Sequence, residues 1–276
     1  MKTKTTRTSF LRMSIPVLLM ALPGMAAVMP VSYDFGSGTG QTTFGDAGFT
    51  AGTESGMTIS NEADSVRFDS NASNRTGGIT RTFTGLGENE RNDFTITSQI
   101  TLDRWEWWVG TTSPFGIALF SNDTSAGDLD STGLTVRLRG SSGPDQRLQI
   151  SEGINGSSLA ETSWTDEHDQ LDTDFVELNV DVSFSGTNDM LVEATLTRLQ
   201  EGRDPGGSAG DSITVSHFFE DNAGDFMDGD YFGFAARLND SSTTHLNTFA
   251  VIPEPGTLML VGIALAGLLV FRRRRK

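Results

Sequence analysis

Two kinds of residue in this chain have the types and spacing for chemistry: clustered tryptophans and acidic, Gly-containing loops. Trp105, Trp107 and Trp108 fall in one stretch, Arg104-Trp105-Glu106-Trp107-Trp108. Strand alternation would put Trp105 and Trp107 on one face and Trp108 on the other. That fits either a platform on which sugar rings stack or the end of a strand closing a sandwich core. One acidic loop, from Asn122 to Asp130, carries Asp123, Asp128 and Asp130 around Gly127. A second, from Asp221 to Asp230, carries Asp221, Asp225, Asp228 and Asp230 around Gly224 and Gly229. Calcium takes roughly six to eight oxygen ligands from carboxylates, amides and backbone, so it is the candidate ion for these seven carboxylates. Neither loop has the Gly and terminal Glu positions of an EF-hand, and Asp and Asn are also ordinary turn residues.

Catalysis is harder to read. Hydrolysis of a glycoside needs two carboxylates about 5–9 Å apart. On a strand, acids two or four residues apart on one face supply that distance. Glu177 and Asp181 have the spacing, but they lie on the polar face of a strand rich in core residues, where solvated side chains are expected. Glu106 has no partner at the right spacing. His168, His217 and His245 are scattered and form no zinc pattern. There is no Gly-x-Ser-x-Gly elbow, and with no cysteine there is neither a thiol nucleophile nor a disulfide. A non-catalytic protein is expected.

The elements that must position these residues are strands. Phe175, Leu178, Val180, Val182 and Phe184 fall nearly on period 2, and Val192, Ala194 and Leu196 alternate with Glu193, Thr195 and Thr197. The same reading predicts strands over residues 31–35, 57–60, 66–69, 78–83, 94–102, 115–121, 134–140, 147–152, 175–185, 191–199, 212–219, 231–238 and 245–252, separated by polar turns. No helical periodicity is present and no repeat of fixed period supports a β-helix. The fold class expected is all-β, a two-sheet antiparallel sandwich or jelly roll.

The termini read as addresses. Residues 1–27 form a signal peptide: Lys2, Lys4, Arg7 and Arg12 precede a short apolar run from Ile15 to Leu22 and the small residues Gly24, Ala26 and Ala27. At the other end, Pro253-Glu254-Pro255 precedes an uncharged run from Thr257 to Phe271, and Arg272, Arg273, Arg274, Arg275 and Lys276 follow. Fifteen helical residues reach roughly 22 Å, short of a bilayer core of about 30 Å. Snorkelling arginines and the flanking interface close most of the gap. The basic cluster would stay in the cytoplasm, placing the body outside. Between these signals residues 28–250 are expected to form one sandwich domain, with residues 251–276 as the sorting segment. Apart from the two signals the chain has eleven cations, all Arg, and thirty-five acids, a formal charge near −24. Such a field repels nucleic acid and anionic lipid.

The stretch Ile252-Pro253-Glu254-Pro255-Gly256-Thr257-Leu258, the Gly/Ala/Leu-rich span and the Arg run resemble the PEP-CTERM sorting signal of Gram-negative bacteria, with Ile252 where Val is commonest. The resemblance implies an exosortase-type membrane protease as partner, passage through the cytoplasmic membrane, and a mature protein at the envelope or secreted. The body is similar in pattern to the concanavalin A-like lectin/glucanase jelly roll, including laminin-G-like modules. Tyr231-Phe232-Gly233-Phe234 and the closing Asn247-Thr248-Phe249-Ala250-Val251 carry most of that likeness. It implies a module that binds glycan or protein; for an exported domain the role expected is adhesive, structural or glycan-binding, in the surface matrix or with exopolysaccharide. The alternatives it leaves are a polysaccharide-degrading hydrolase and an inert surface-coat protein. The hydrolase signature of that family, Glu-x-Asp-x-x-Glu, is missing.

Overall fold

The computed structural model describes residues 30–86, 91–104, 113–140, 146–164, 175–186, 188–200, 210–239 and 242–253. In chain order the elements are β1 (Val31–Asp34), β2 (Thr50–Thr53), β3 (Met57–Asn61), β4 (Val66–Ser70), β5 (Arg75–Thr82), β6 (Phe94–Arg104), β7 (Phe115–Ser121), α1 (Ala126–Ser131), β8 (Leu134–Gly140), β9 (Gln146–Glu152), β10 (Ser158–Trp164), β11 (Phe175–Ser185), β12 (Asp189–Gln200), β13 (Ser212–Phe219), β14 (Tyr231–Leu238) and β15 (Thr243–Pro253).

Alternation dictates which face of each strand is buried. In β11, Val176, Leu178, Val180 and Val182 are buried, while Glu177, Asn179 and Asp181 reach the surface. The strand pairs antiparallel with β12 on one side and β6 on the other, so the same alternation propagates across the sheet. An eight-stranded sheet runs β13-β12-β11-β6-β15-β4-β3, with β1 pairing the far half of β15; a seven-stranded sheet runs β10-β9-β8-β7-β14-β5-β2. Their apolar faces meet in one core. Phenylalanines bridge the layers: Phe94 of β6 meets Phe232 of β14 edge-on at 5.7 Å, and Phe68 of β4 lies 5.0 Å from Phe234 of β14. Full burial of one such ring stabilises by about 1.5–3 kcal/mol.

The all-β sandwich expected from the pattern is the fold observed. All thirteen predicted strands are present, with ends differing by up to three residues. Two further strands, β2 and β10, form the two edges of the seven-stranded sheet. Their residues, Thr-Ala-Gly-Thr and Ser-Leu-Ala-Glu-Thr-Ser-Trp, are mostly small and polar, so they lack the apolar alternation that marks an interior strand.

The absence of helices needs correction, because α1 forms within an acidic loop. Ser125 caps it by accepting the Asp128 amide, and Asp128 sits in its positive first turn. Leu129 then packs with Ala118, Ile154 and Ala235 on the outer face of the seven-stranded sheet. Gly78 makes this possible: a Cβ there would stand 2.6 Å from Leu129 Cδ1. A single helical turn is too short for periodicity to reveal. No helix among the described residues is long and apolar enough to cross a membrane.

Candidate functional site

The two acidic loops meet in space. The Gly133 amide, just after α1, donates to Asp228 Oδ2 at 2.6 Å. Most of the carboxylates already hold protein donors. Asp123 accepts the Ser125 amide, which chiefly holds its carboxyl below the ordinary value. Asp128 accepts Ser125 Oγ at 2.8 Å. Asp130 accepts Thr76 Oγ1 at 2.9 Å and Asn155 Nδ2 at 3.3 Å, tying α1 to β5 and to the turn after β9. The Asp221 amide donates to Asp189, and Asp225 lies in a 3₁₀ turn, Ala223–Phe226. Asp230 immediately precedes β14. Among the described residues no three of His, Asp and Glu converge closely enough to hold a metal ion. Asp123, Asp128, Asp130 and Asp228 thus act as caps and clips between the loops and the strands.

Glu177 and Asp181 lie on the outer face of the eight-stranded sheet. Asp181 accepts Thr95 Oγ1 at 2.5 Å and Glu177 accepts Gln99 Nε2 at 3.1 Å. They belong to a polar lattice that continues through Thr97–Asn179 at 2.5 Å and Thr195–Thr214 at 2.9 Å. On the same sheet, Glu62, Asp64, Ser65, Thr101, His245 and Asn247 line an open groove of about 170 Å³. Ser65 Oγ lies 3.1 Å from His245 Nδ1, a contact that fixes the imidazole at the groove.

The seven-stranded sheet holds a feature the linear reading passed over. In β8, Leu134, Val136 and Leu138 enter the core, so Thr135, Arg137 and Arg139 face outward. Arg147 of β9 and Arg237 of β14 share that face, since Leu148 and Ile150, and Ala236 and Leu238, face the core. The alternation Leu-Thr-Val-Arg-Leu-Arg contained the signal, but only register shows the arginines to be neighbours. Arg137 is almost wholly buried and donates to Gln149 Oε1 at 3.0 Å, the Gly156 carbonyl at 2.9 Å and the Ile154 carbonyl. Burial pushes its guanidinium down to about 10, and the charges of Arg139 and Arg237 push the same way.

The sorting motif begins inside the sandwich. Val251, Ile252 and Pro253 of β15 stand opposite Ile96, Thr95 and Phe94 of β6. Val251 is fully buried and Ile252 is half exposed. The last strand therefore runs three residues past the expected boundary at 250. Glu254, Pro255, the apolar span, Arg272–Lys276, the signal segment and the three tryptophans Trp105, Trp107 and Trp108 lie outside the described residues.

Two antiparallel sheets in this strand order define the class: a concanavalin A-like jelly roll. Peanut lectin aligns over 82% of this chain and 97% of its own at a TM-score of 0.52 and 12% identity. Lectin I-B4 of Griffonia simplicifolia aligns over 81% and 98% at a TM-score of 0.53 and 11% identity. A PL-14 alginate lyase from Aplysia kurodai aligns over 82% and 100% at a TM-score of 0.54 and 11% identity. At such identities the likeness shows the fold alone. No curated protein matches the chain. The particular mark of this sandwich is at its end, where residues 251–275 match the PEP-CTERM protein-sorting motif. That motif implies an exported protein, sorted at the membrane through its C-terminal anchor.

Proposed function

We propose that this is an exported, non-catalytic glycan-binding protein, delivered to the envelope of a Gram-negative bacterium by an exosortase-type protease and associated there with exopolysaccharide. The observation that carries the reading is the continuity of a lectin-like sandwich with a sorting motif in one strand, β15. Two of the similar structures are lectins by name, which supports glycan as the ligand class. Trp105, Trp107 and Trp108 are proposed as a stacking platform, attached between the end of β6 and the start of β7. Calcium is carried as a ligand to be tested at the meeting of the two acidic loops, with Asp123, Asp128, Asp130, Asp221, Asp225, Asp228 and Asp230 as the candidate carboxylates.

Binding of the full chain to a panel of polysaccharides, in calcium and again in chelator, tests the reading. Saturable binding to a glycan supports it. No binding in either buffer favours an inert coat. A polysaccharide-cleaving reading has one support, the fold shared with an alginate lyase. It requires that polysaccharide incubated with the chain shorten over time.

A further inference from the structure

Four of the eleven body arginines lie on the outer face of the seven-stranded sheet, and register lines up three of them across the strands. Arg139 on β8 is the direct cross-strand partner of Arg147 on β9. On its other side stands Pro114, one step from the Phe115–Leu138 pair. The Pro114 carbonyl in turn accepts the Arg237 amide at 2.7 Å. With neighbouring strands about 4.8 Å apart, the row Arg237–Pro114–Arg139–Arg147 spans roughly 14 Å. Arg137 lies one pleat along β8, between Gly116 and Gln149.

Stability alone does not select this arrangement. Like charges directly opposed on an antiparallel pair weaken it. Arg137 is buried against neutral acceptors, and the charge of Glu161 offsets the charges of Arg139 and Arg237 beside it only in part. Arg237 Nε is buried and has no hydrogen-bond partner among the described residues. Glu161 pairs with Arg147 at 3.0 Å at one end of the row, and at the other end Asp130 accepts Thr76, the cross-strand partner of Arg237. This concentration of cations occurs in a body that has about three acids for every cation.

We propose that this face binds a polyanionic glycan, a chain bearing carboxylates or sulfates, along Arg237, Arg139 and Arg147. The proposal rests on the glycan-binding reading above and names its ligand class. Planar guanidinium forks suit bidentate contact with carboxylate or sulfate oxygens. Arg137, pinned beneath, adds positive potential without touching the ligand. The net negative charge of the body does not cancel the attraction, because at about 0.1 M salt fields are screened beyond roughly 10 Å.

The test compares the full chain with the triple variant Arg139→Gln/Arg147→Gln/Arg237→Gln and with Arg237→Gln alone. Probes are polygalacturonate, dextran sulfate, neutral dextran and duplex DNA. The parent is expected to bind an acidic polymer at least about tenfold more tightly than neutral dextran, and the triple variant to lose that advantage at an unchanged melting temperature. Whichever of polygalacturonate and dextran sulfate binds identifies carboxylate or sulfate as the group recognised. Equal binding of neutral dextran overturns the proposal and leaves the glycan-binding reading standing. DNA binding as tight as acidic-glycan binding also overturns it. So does a triple variant that melts lower together with an Arg237→Gln variant that binds normally, because the arginines would then serve the fold. Failure to bind any polysaccharide overturns both readings.

Discussion

Pro253 stands opposite Phe94 at the end of β15, so the first proline of the sorting motif is also the last paired residue of an interior strand. Address and domain are thus not joined by a free linker. The fold sets where the chain can be cut without damage, and the sorting motif begins before that point.

A chain ending at Ala250 should therefore melt lower than one ending at Pro253. It loses the fully buried Val251 and the last three register positions against β6. Val251 alone accounts for about 1.5–3 kcal/mol. Thermal melts of the two chains check this. Val251→Asp in the longer chain should cost at least as much, because it buries a carboxylate with no partner.

If processing follows the motif, envelope-extracted protein should lack Arg272–Lys276 and retain β15. Intact mass decides this directly. A mature protein that still carries the basic run contradicts exosortase-type processing, and one that ends before Val251 contradicts the role of β15 in the mature sandwich.

Calcium should leave the melting temperature of the full chain unchanged, because the carboxylates of Asp123, Asp128, Asp130 and Asp228 already accept protein donors. Differential scanning calorimetry with calcium and with chelator is the check. A saturable rise would assign the paired loops as a calcium site, since a ligand that binds the folded state stabilises it.

Arg137 predicts an alkaline effect with a definite sign. Burial lowers its folded value to about 10, while the unfolded chain keeps the ordinary, higher value. Above pH about 10 the unfolded chain holds a proton that the folded chain releases, so this contribution to stability rises with pH; below that it is constant. The stability of the parent minus that of Arg137→Gln should be flat from pH 7 to about 9 and climb above about 10. A difference that falls across the upper window would contradict the burial of this cation.

Much of the sandwich was legible because a strand with one face on the core must alternate. β7, β8, β11, β13 and β14 have their predicted limits, each with one face committed to the core. β2 and β10 were not legible because their residues are mostly small and polar, whereas β13, also an edge strand, alternates Ile213, Val215 and Phe219 with polar residues. Helix α1 was hidden because its formation depends on a Ser125 cap and on Gly78 making room for Leu129, a contact between residues far apart in sequence. The sorting motif could be read directly, being a linear signal. The arginine face could not, because a net charge averages over the chain while the cluster is made by register between β8, β9 and β14. The acidic loops invited a calcium reading from composition, whereas their hydrogen bonds show what the individual carboxylates hold.

The measurement that tests the central claim most directly is equilibrium binding of the full chain to immobilised polysaccharides, scored as a saturable isotherm competed by the same polymer in solution. The account predicts such an isotherm for at least one glycan, with no change in polymer length after prolonged incubation. Absence of saturable binding to every polysaccharide, or a steady shortening of the bound chain, would contradict it.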